Sequence, residues 1–201
     1  MAKPHRCGDA CEPYRWFDER LVLFVSHALI RIATAEDSLA IARVHVETWR
    51  DAYRGIVADK HLADLSVEVR AAKWLERLTA DFEQRPLIFV AEDLGEVVGF
   101  VSGGATSQPG LPYDAELYGL YVKPDRQRQR FGRLLTRALV DELVERGFRG
   151  LVVGVLERNE SGRRFYESIG SREVGRQSLV IGGDAHSEIF YGWTAIEDVL
   201  A

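Results

Sequence analysis

The most distinctive chemistry in the sequence is a cationic segment between positions 121 and 137. Its one acid, Asp125, is outnumbered by six basic residues: Lys123, Arg126, Arg128, Arg130, Arg133 and Arg137. The segment joins a predicted strand to a predicted helix, and a helix N-terminus offers unpaired N–H groups and a positive dipole end, both of which suit phosphate. The pattern predicts a phosphate or pyrophosphate site. A solvated basic surface is the alternative that charge leaves open.

The elements on either side must position this loop. Residues 116–122 are typical of a strand, and Gly119 inside it predicts a bulge or a close approach by backbone or ligand. Apolar residues at helical spacing predict a helix over Phe131–Glu145, and Leu151–Leu156 is typical of a buried strand. Asn159 is a good N-cap for a short helix that a glycine ends.

The remaining sequence predicts strands in pairs and two helices. Residues 29–33 are expected to form the first strand, Thr34 and Asp37 have the spacing of a capping box, and Ser66 caps the second helix. Two hairpins are predicted, formed by residues 87–91 with 97–102 and by residues 178–181 with 188–193. The order of elements predicts a single α/β domain whose mixed sheet has helices on both faces.

Two segments resemble motifs of the GNAT (GCN5-related N-acetyltransferase) superfamily. Residues 127–132 are similar to its pyrophosphate loop, Gln/Arg-x-x-Gly-x-Gly/Ala, at the first and sixth places, but Arg130 stands at the fourth. Residues 159–170 are similar to its Asn-x-x-Ala-x-x-Phe-Tyr-x-x-x-Gly signature, with Gly162 in place of the Ala. The resemblance covers residues 29–194 and implies an acyl-CoA N-acyltransferase fold with a central, mostly antiparallel sheet.

The resemblance implies transfer of an acetyl group from acetyl-CoA to an amine, which must first lose a proton. Glu116, eleven residues before Gln127, resembles in spacing the catalytic Glu of the histone acetyltransferase branch. It is the expected base, with an exposed or salt-bridged carboxylate at a strand end as the alternative. Tyr166 matches the family tyrosine that protonates the departing thiolate, with packing in the core as its alternative. Neither cysteine lies in a Cys/His nucleophile context, so direct attack in a ternary complex is expected.

Residues that hold acetyl-CoA are implied in the same way. A bulge at Gly119 would part the strands near Tyr121 and Val155, and the pantetheine amides would pair with the free edge at Leu120, Tyr121 and Val122. The Val122 N–H would polarise the thioester carbonyl. Asn159 either bonds the pantetheine arm or only caps its helix. The pyrophosphate ligands are expected at the loop and helix start: Gln127, Arg128, Gln129, Arg130, Phe131, Gly132 and Arg133.

Arg130 leaves two interpretations open. Glycine at this place lets the backbone approach a phosphate with no Cβ between them. The Arg130 guanidinium can instead contact a phosphate itself. If the side chain only obstructs the turn, the alternative function applies, which is a non-catalytic acyl-CoA-binding regulatory module with a degenerate site.

The resemblance places the acceptor pocket around the first two helices and their connector. Trp49 and Tyr53 are expected there, joined by Tyr113 from the loop before the Glu116 strand. Aromatic and acidic side chains suit a cationic amine, but Arg50 and Arg54 equally indicate a carboxylate on the substrate. The acceptor is therefore a small-molecule or peptide amine that the sequence does not define further.

Composition excludes several other classes. The 201 residues are 46% hydrophobic and 28% charged, as in globular proteins, and the formal net charge of −5 argues against a nucleic-acid binder. Two cysteines build no disulfide framework, so the cytoplasm is expected. No apolar run nears the roughly 20 residues of a membrane span, and the interrupted run at 21–25 follows acids, unlike a signal peptide.

Residues 1–28 are predicted to be a loosely ordered extension before a domain at 29–201. Cys7 and Cys11, with His5 nearby, lack a clear fourth ligand, so no metal site is expected. Association into a homodimer is left open.

Overall fold

The computed structural model describes residues 28–81 and 85–200, which form a seven-stranded sheet with helices on both faces. The strands, in the order β1-β2-β3-β4-β5-β7-β6 across the sheet, are β1 Ala28–Ile32, β2 Leu87–Asp93, β3 Glu96–Ala105, β4 Ala115–Val122, β5 Leu151–Leu156, β6 Arg172–Ile181 and β7 Asp184–Trp193. The helices are α1 Ser38–Ala52, α2 Asp59–Ala63, α3 Val67–Thr79, α4 Phe131–Glu145 and α5 Glu160–Ser168. Among these strands, β4 and β5 pair in parallel and all other neighbours are antiparallel.

The predicted architecture and helix starts are confirmed. The capping box at Thr34 and Asp37 is present, the Ser66 hydroxyl accepts from the Val69 N–H at 3.1 Å, and the Asn159 side chain accepts from the Gly162 N–H at 3.0 Å. Each side-chain oxygen satisfies an N–H that has no partner inside its helix.

Three features differ from the prediction. The short helix α2 was not expected, and β6 and β7 are longer than the predicted strands because their pairing runs from residue 172 to residue 193, with one register shift between Glu173 and Gly175. The first strand begins at Ala28 rather than at residue 29. The remaining extension, with Cys7 and Cys11, lies outside the described residues.

The sheet is covered on both faces by apolar side chains. On one face α4 presents fully buried side chains, among them Leu135, Leu139 and Leu143, to a core that includes Leu117 and Val153. On the other face α1 and α3 pack on β2 and β3 through a second cluster, which contains Ile41, Val44, Trp74, Val90 and Phe100. Burial on both faces explains the near-continuous apolar runs of the central strands.

A bulge in β4 and a short pairing with β5 together create an opening in the sheet. Ser102 pairs with Gly119 while Gly103 pairs with Leu117, so Tyr118 is the extra, unpaired residue. Beyond the pair formed by Leu117 and Val153, β4 and β5 are not paired. The prediction of a bulge near Gly119 and of strands that part is confirmed.

The other end of the β4–β5 pair is held closed. The Asp114 carboxylate accepts from the backbone N–H groups of Arg149 and Gly150 at 2.9 to 3.1 Å, which ties the start of β4 to the start of β5. Tyr113 packs beside this clamp, close to Gly192 and Gly150. The two strands therefore diverge in one direction only, from the bulge toward the arginine-rich loop.

The bulge requires a strand residue without a side chain. A Cβ at Gly103 would lie 2.8 Å from the Glu116 carbonyl oxygen and 2.8 Å from Leu139 Cδ2. We therefore expect Gly103→Ala to destabilise the fold by about 1–3 kcal/mol, a loss of about 2–12 °C in Tm. A Cβ at Gly175 in β6 would have its nearest neighbour at 3.5 Å, so Gly175→Ala is the matched control, with an unchanged Tm. Thermal unfolding followed by circular dichroism makes the measurement, and equal Tm values for the two variants would contradict it.

Candidate active site

A cavity of about 580 Å³ opens where β4 and β5 part. Its walls are β4 from Tyr118 to Val122, β5 from Val153 to Val155, the end of α1, the loop before α4, and α5. Most of the residues predicted to bind acetyl-CoA line this cavity: Leu120, Tyr121, Val122, Gln127, Arg128, Arg130, Phe131, Gly132, Arg133 and Asn159. The structure thus brings the two motif segments, far apart in the chain, into one site.

The loop before α4 has an unusual backbone. Arg128 and Arg130 both adopt left-handed conformations, with φ of 61° and 70°, and Arg130 is the N-cap of α4. A left-handed non-glycine residue costs about 1–2 kcal/mol. Arg130 thus takes a conformation that glycine adopts more readily than arginine. Alternating backbone conformations of this kind form concave sites for anions at a helix N-terminus.

Three arginines at the mouth of the cavity are unpaired. Within the described part of the chain, Arg128, Arg130 and Arg133 form no ion pair or side-chain hydrogen bond, although each lines the cavity. The neighbouring Arg126, by contrast, is held by Asp93 at 3.1 Å. Three exposed cations beside free helix N–H groups form a site for a multiply charged anion.

Two glutamines shape the loop. The Gln127 side chain donates to the Val122 carbonyl at 3.2 Å and so ties the loop to the end of β4. The Gln129 side chain donates to the Asp125 carbonyl at 3.1 Å, and Gln129 is not among the cavity-lining residues. Gln129 therefore stabilises the turn rather than lining the site.

The parted edge of β4 offers free backbone groups to the cavity. The Lys123 N–H donates to the Val98 carbonyl at 2.9 Å, on the β3 side. Because amide groups alternate in direction along an antiparallel strand, those of Leu120 and Val122 point away from β3 and into the gap. The Val122 N–H is thus directed to the place where an oxyanion donor is expected.

Tyr166 lies in the cavity wall and is buried against Phe165 and Trp193. Burial and the nearby Tyr121 phenol raise the pKa of Tyr166 above its usual range, so the phenol stays protonated at neutral pH. Burial, followed by the Tyr121 and Tyr166 phenols, likewise raises the pKa of Tyr53 well above its usual value. Within the described residues the Tyr166 hydroxyl forms no hydrogen bond, which leaves it available as a proton donor.

Glu116 lies outside the cavity wall. Its Oε2 accepts from the N–H and the hydroxyl of Ser107 at 2.8 and 2.7 Å, and its Oε1 accepts from the Gln108 side chain at 3.2 Å. The buried carboxylate anchors the loop between β3 and β4. Within the described residues the carboxylate is neither exposed nor salt-bridged, because the loop supplies neutral donors that spacing does not reveal, and its role as the base stays a prediction.

The acceptor candidates are separated by the fold. Tyr53 lines the cavity, but Trp49 packs outside it, against Tyr53 and His61, in the cluster between α1 and α2. Tyr113 is buried with Val152, Phe190 and neighbours at the closed end of β4–β5, so its expected place in the acceptor pocket is corrected to a packing role. Its aromatic side chain could not be distinguished from a binding residue by sequence position alone.

Arg50 also has a structural role. Its guanidinium donates to the carbonyls of Leu62, Ala63 and Leu65 at 2.8 to 3.4 Å, where it caps the end of α2. It is therefore committed to the backbone rather than available to a substrate carboxylate.

One carboxylate beside the cavity wall was missed by the sequence analysis. Glu188 in β7 lies over Gly154, the first β5 residue beyond the pairing with β4. No motif marks it. The available signal was a glutamate among apolar residues of the last strand together with a glycine inside β5.

The described residues contain neither a membrane-spanning helix nor a cluster of metal ligands. No helix there has both the length and the apolar character that crossing a membrane requires. No three histidine, cysteine, aspartate or glutamate side chains in that part of the chain cluster as metal ligands.

Several known proteins resemble this chain in sequence and in fold. Residues 43–170 match the model of the Acetyltransferase (GNAT) family. The chain is 34% identical over 165 residues to the uncharacterized N-acetyltransferase YuaI of Bacillus subtilis (82% of this chain, 91% of the relative). It is 29% identical over 150 residues to the L-amino acid N-acyltransferase MnaT of Escherichia coli, with 70% and 77% coverage.

A solved structure agrees with these matches at the level of the fold. The PaiA N-acetyltransferase of Thermoplasma acidophilum, solved with coenzyme A, superposes with a TM-score of 0.65 at 22% identity, over 80% of this chain and 97% of that one. The family model matches most of the domain, including β4, the arginine-rich loop and α5, which form the cavity. The chain belongs to the acetyltransferase (GNAT) family.

Proposed function

We propose that this protein transfers an acetyl group from acetyl-CoA to a primary amine by direct attack in a ternary complex. The observation that carries the proposal is the parting of β4 and β5 at a cavity whose far end is the cationic, left-handed loop at the start of α4. A thioester with a pantetheine arm and a pyrophosphate needs both features. The acceptor is a small-molecule or peptide amine, and the cysteine usage keeps the cytoplasm as the expected place of action.

Each part of the site has a task in this reaction. The N–H groups at the start of α4, with Arg128, Arg130 and Arg133, hold the pyrophosphate. The free edge at Leu120 and Val122 pairs with the pantetheine amides.

At the reacting end, the Val122 N–H stabilises negative charge on the thioester oxygen. As the C–S bond breaks, the Tyr166 phenol donates its proton to the thiolate and regains one from the acetylated nitrogen.

The arrangement of the loop bears on the non-catalytic alternative. That alternative rested on Arg130 as an obstruction. Arg130 adopts a left-handed conformation, which glycine also favours, and the residues that follow it at the start of α4 line the cavity. The observation supports an intact loop and leaves the enzyme as the favoured function.

Binding of coenzyme A should stabilise the protein. A ligand that binds only the folded state, at 100 times its Kd, adds about 2.7 kcal/mol, which for a domain of this size raises Tm by about 5–10 °C. Thermal shift with coenzyme A and acetyl-CoA tests this. Pantetheine, which lacks the pyrophosphate, is the control and should shift Tm less. The absence of any shift at millimolar coenzyme A would contradict the proposal.

The variant Arg130→Gly should distinguish two effects of Arg130, the strain of its left-handed backbone and the contact of its guanidinium with phosphate. Relief of the left-handed strain, about 1–2 kcal/mol, exceeds the entropic cost of the glycine, about 0.4–1 kcal/mol, so Tm without ligand should stay level or rise. Loss of the guanidinium should weaken coenzyme A binding about 2- to 5-fold, as for an exposed ion pair. Calorimetric titration measures this. Arg130→Asn, which tolerates the left-handed backbone, should weaken binding equally, and tighter binding by both variants would show that the arginine obstructs the turn.

Tyr166→Phe should lower kcat about 100-fold, the low end for a general acid, with little change in the KM for acetyl-CoA. Because the pKa of Tyr166 is raised, the phenol is protonated across neutral pH. The acidic limb of the pH profile should therefore not move. Steady-state thiol release measures both quantities. Tyr191→Phe is the control, because Tyr191 is also buried but its hydroxyl bonds Arg163 and Glu167 outside the cavity. Equal rates for the two variants would remove Tyr166 from the mechanism.

A further inference from the structure

The side chain of Glu188 occupies space that a glycine leaves open. Glu188 in β7 pairs with Leu156 in β5, and its carboxylate reaches over Gly154, two residues earlier in β5. A Cβ at Gly154 would lie 2.5 Å from Oε1 of Glu188 and 2.7 Å from its Cδ. Gly154 itself lines the cavity, directly after the last residue that pairs with β4. The carboxylate therefore sits at the point where the two strands part.

One oxygen of this carboxylate has no partner. The Gln177 side chain on β6 donates to Oε2 at 2.6 Å and holds the group in place. Oε1, the oxygen over Gly154, forms no hydrogen bond or ion pair within residues 28–81 and 85–200. Glu116 has the opposite arrangement, because both of its oxygens accept hydrogen bonds from the β3–β4 loop. Neither glutamate is among the residues that line the cavity, where Asp51 is an exposed carboxylate, but Glu188 has a free oxygen over Gly154 of the cavity wall.

The groups that face Glu188 raise its proton affinity. Burial, and then the charge of Glu116 on β4, raise the pKa of the Glu188 carboxyl from its usual value, while the bond from Gln177 opposes this. Burial first, and the charge of Glu188 as a smaller cause, raise the pKa values of Tyr53 at the end of α1 and of Tyr121 on β4. A raised pKa makes the Glu188 carboxylate a stronger base than an ordinary glutamate.

We propose that Glu188 is the catalytic base of this enzyme, which receives a proton from the acceptor ammonium at the parting of β4 and β5. The inference rests on the proposed acetyl transfer. The ammonium gives one proton to Oε1, and the freed nitrogen lone pair forms a bond to the thioester carbon. The C–S bond then breaks, the second nitrogen proton passes through Tyr166 to the thiolate, and Glu188 releases its proton to water. The products are the acetylated amine, coenzyme A with its thiol and one proton.

The first test removes the charge of Glu188. Glu188→Gln keeps the size of the side chain, and we expect it to lower kcat/KM for the amine about 100-fold at neutral pH, the low end for a general base. More alkaline buffer should recover part of this rate because it supplies free amine. The thermal shift by acetyl-CoA should be unchanged. Glu173→Gln is the matched control, an exposed glutamate on β6 paired with Arg176, and should keep the wild-type rate.

The second test moves the Glu188 carboxylate without changing it. Gly154→Ala places a methyl group where Oε1 lies, and the flexible end of Glu188 must shift. We expect about a 10-fold lower kcat/KM for the amine, and little further loss when Gly154→Ala is added to Glu188→Gln. This non-additivity is the sign of a shared function. A methyl group that only hindered acetyl-CoA would raise the KM for acetyl-CoA equally in both backgrounds, and that result would contradict the inference.

The assay measures the release of thiol from acetyl-CoA. Three amines are tested as acceptors: a simple alkylamine, an α-amino acid and a peptide with a free N-terminus. A wild-type protein active on one of them, with Glu188→Gln as fast as wild type, overturns the role of Glu188 and leaves the proposed function standing. If the Glu116→Gln variant is inactive while the Glu188→Gln variant is active, the base is Glu116 and the inference is overturned. A wild-type protein that binds acetyl-CoA but acetylates none of the panel would overturn the proposed function, and the inference with it.

Discussion

The rest of the structure depends on the short hydrogen-bonded pairing between the central strands β4 and β5. β4 and β5 share three residue pairs, and the bulge at Tyr118 then turns β4 away. Backbone groups inside a protein need partners, so a strand edge left open in the middle of a sheet is stable only if something else can pair with it. The Asp114 clamp keeps the other end closed, which confines the opening to the side that faces the arginine-rich loop. The cavity and the free edge of β4 both follow from this divergence.

The loop at the start of α4 combines two physical effects. The helix directs its free N–H groups at the cavity, and three unpaired arginines add positive charge at the same place. Holding Arg128 and Arg130 in left-handed conformations costs free energy that the rest of the domain must supply, chiefly through the burial of the apolar face of α4. Strain located beside a ligand site is consistent with a loop shaped for binding rather than for stability.

Glu116 and Glu188 lie on the same face of the sheet but have different hydrogen-bonding environments. Glu116 is saturated by hydrogen bonds from Ser107 and Gln108 and anchors a loop. Glu188 is half-buried and accepts one hydrogen bond, from Gln177. It lies over Gly154, where β4 and β5 begin to part. The position of a carboxylate along the chain does not reveal which of these environments it meets. Hydrogen bonding from neighbouring elements distinguishes an anchor from a candidate base.

The sequence by itself determined the family, the order of strands and helices, the capped helix starts at Ser66 and Asn159, and the bulge near Gly119, because each is written in local spacing or in a motif. Only the tertiary structure decided which side chains reach the cavity. Tyr113 is packed at the closed end of β4–β5, away from the cavity, and Glu188 lies over Gly154 of the cavity wall, because long-range strand pairing decides which residues become neighbours. The left-handed turn at Arg130 was likewise decided by tertiary structure, because packing of α4 overrides the local preference of arginine for right-handed backbone.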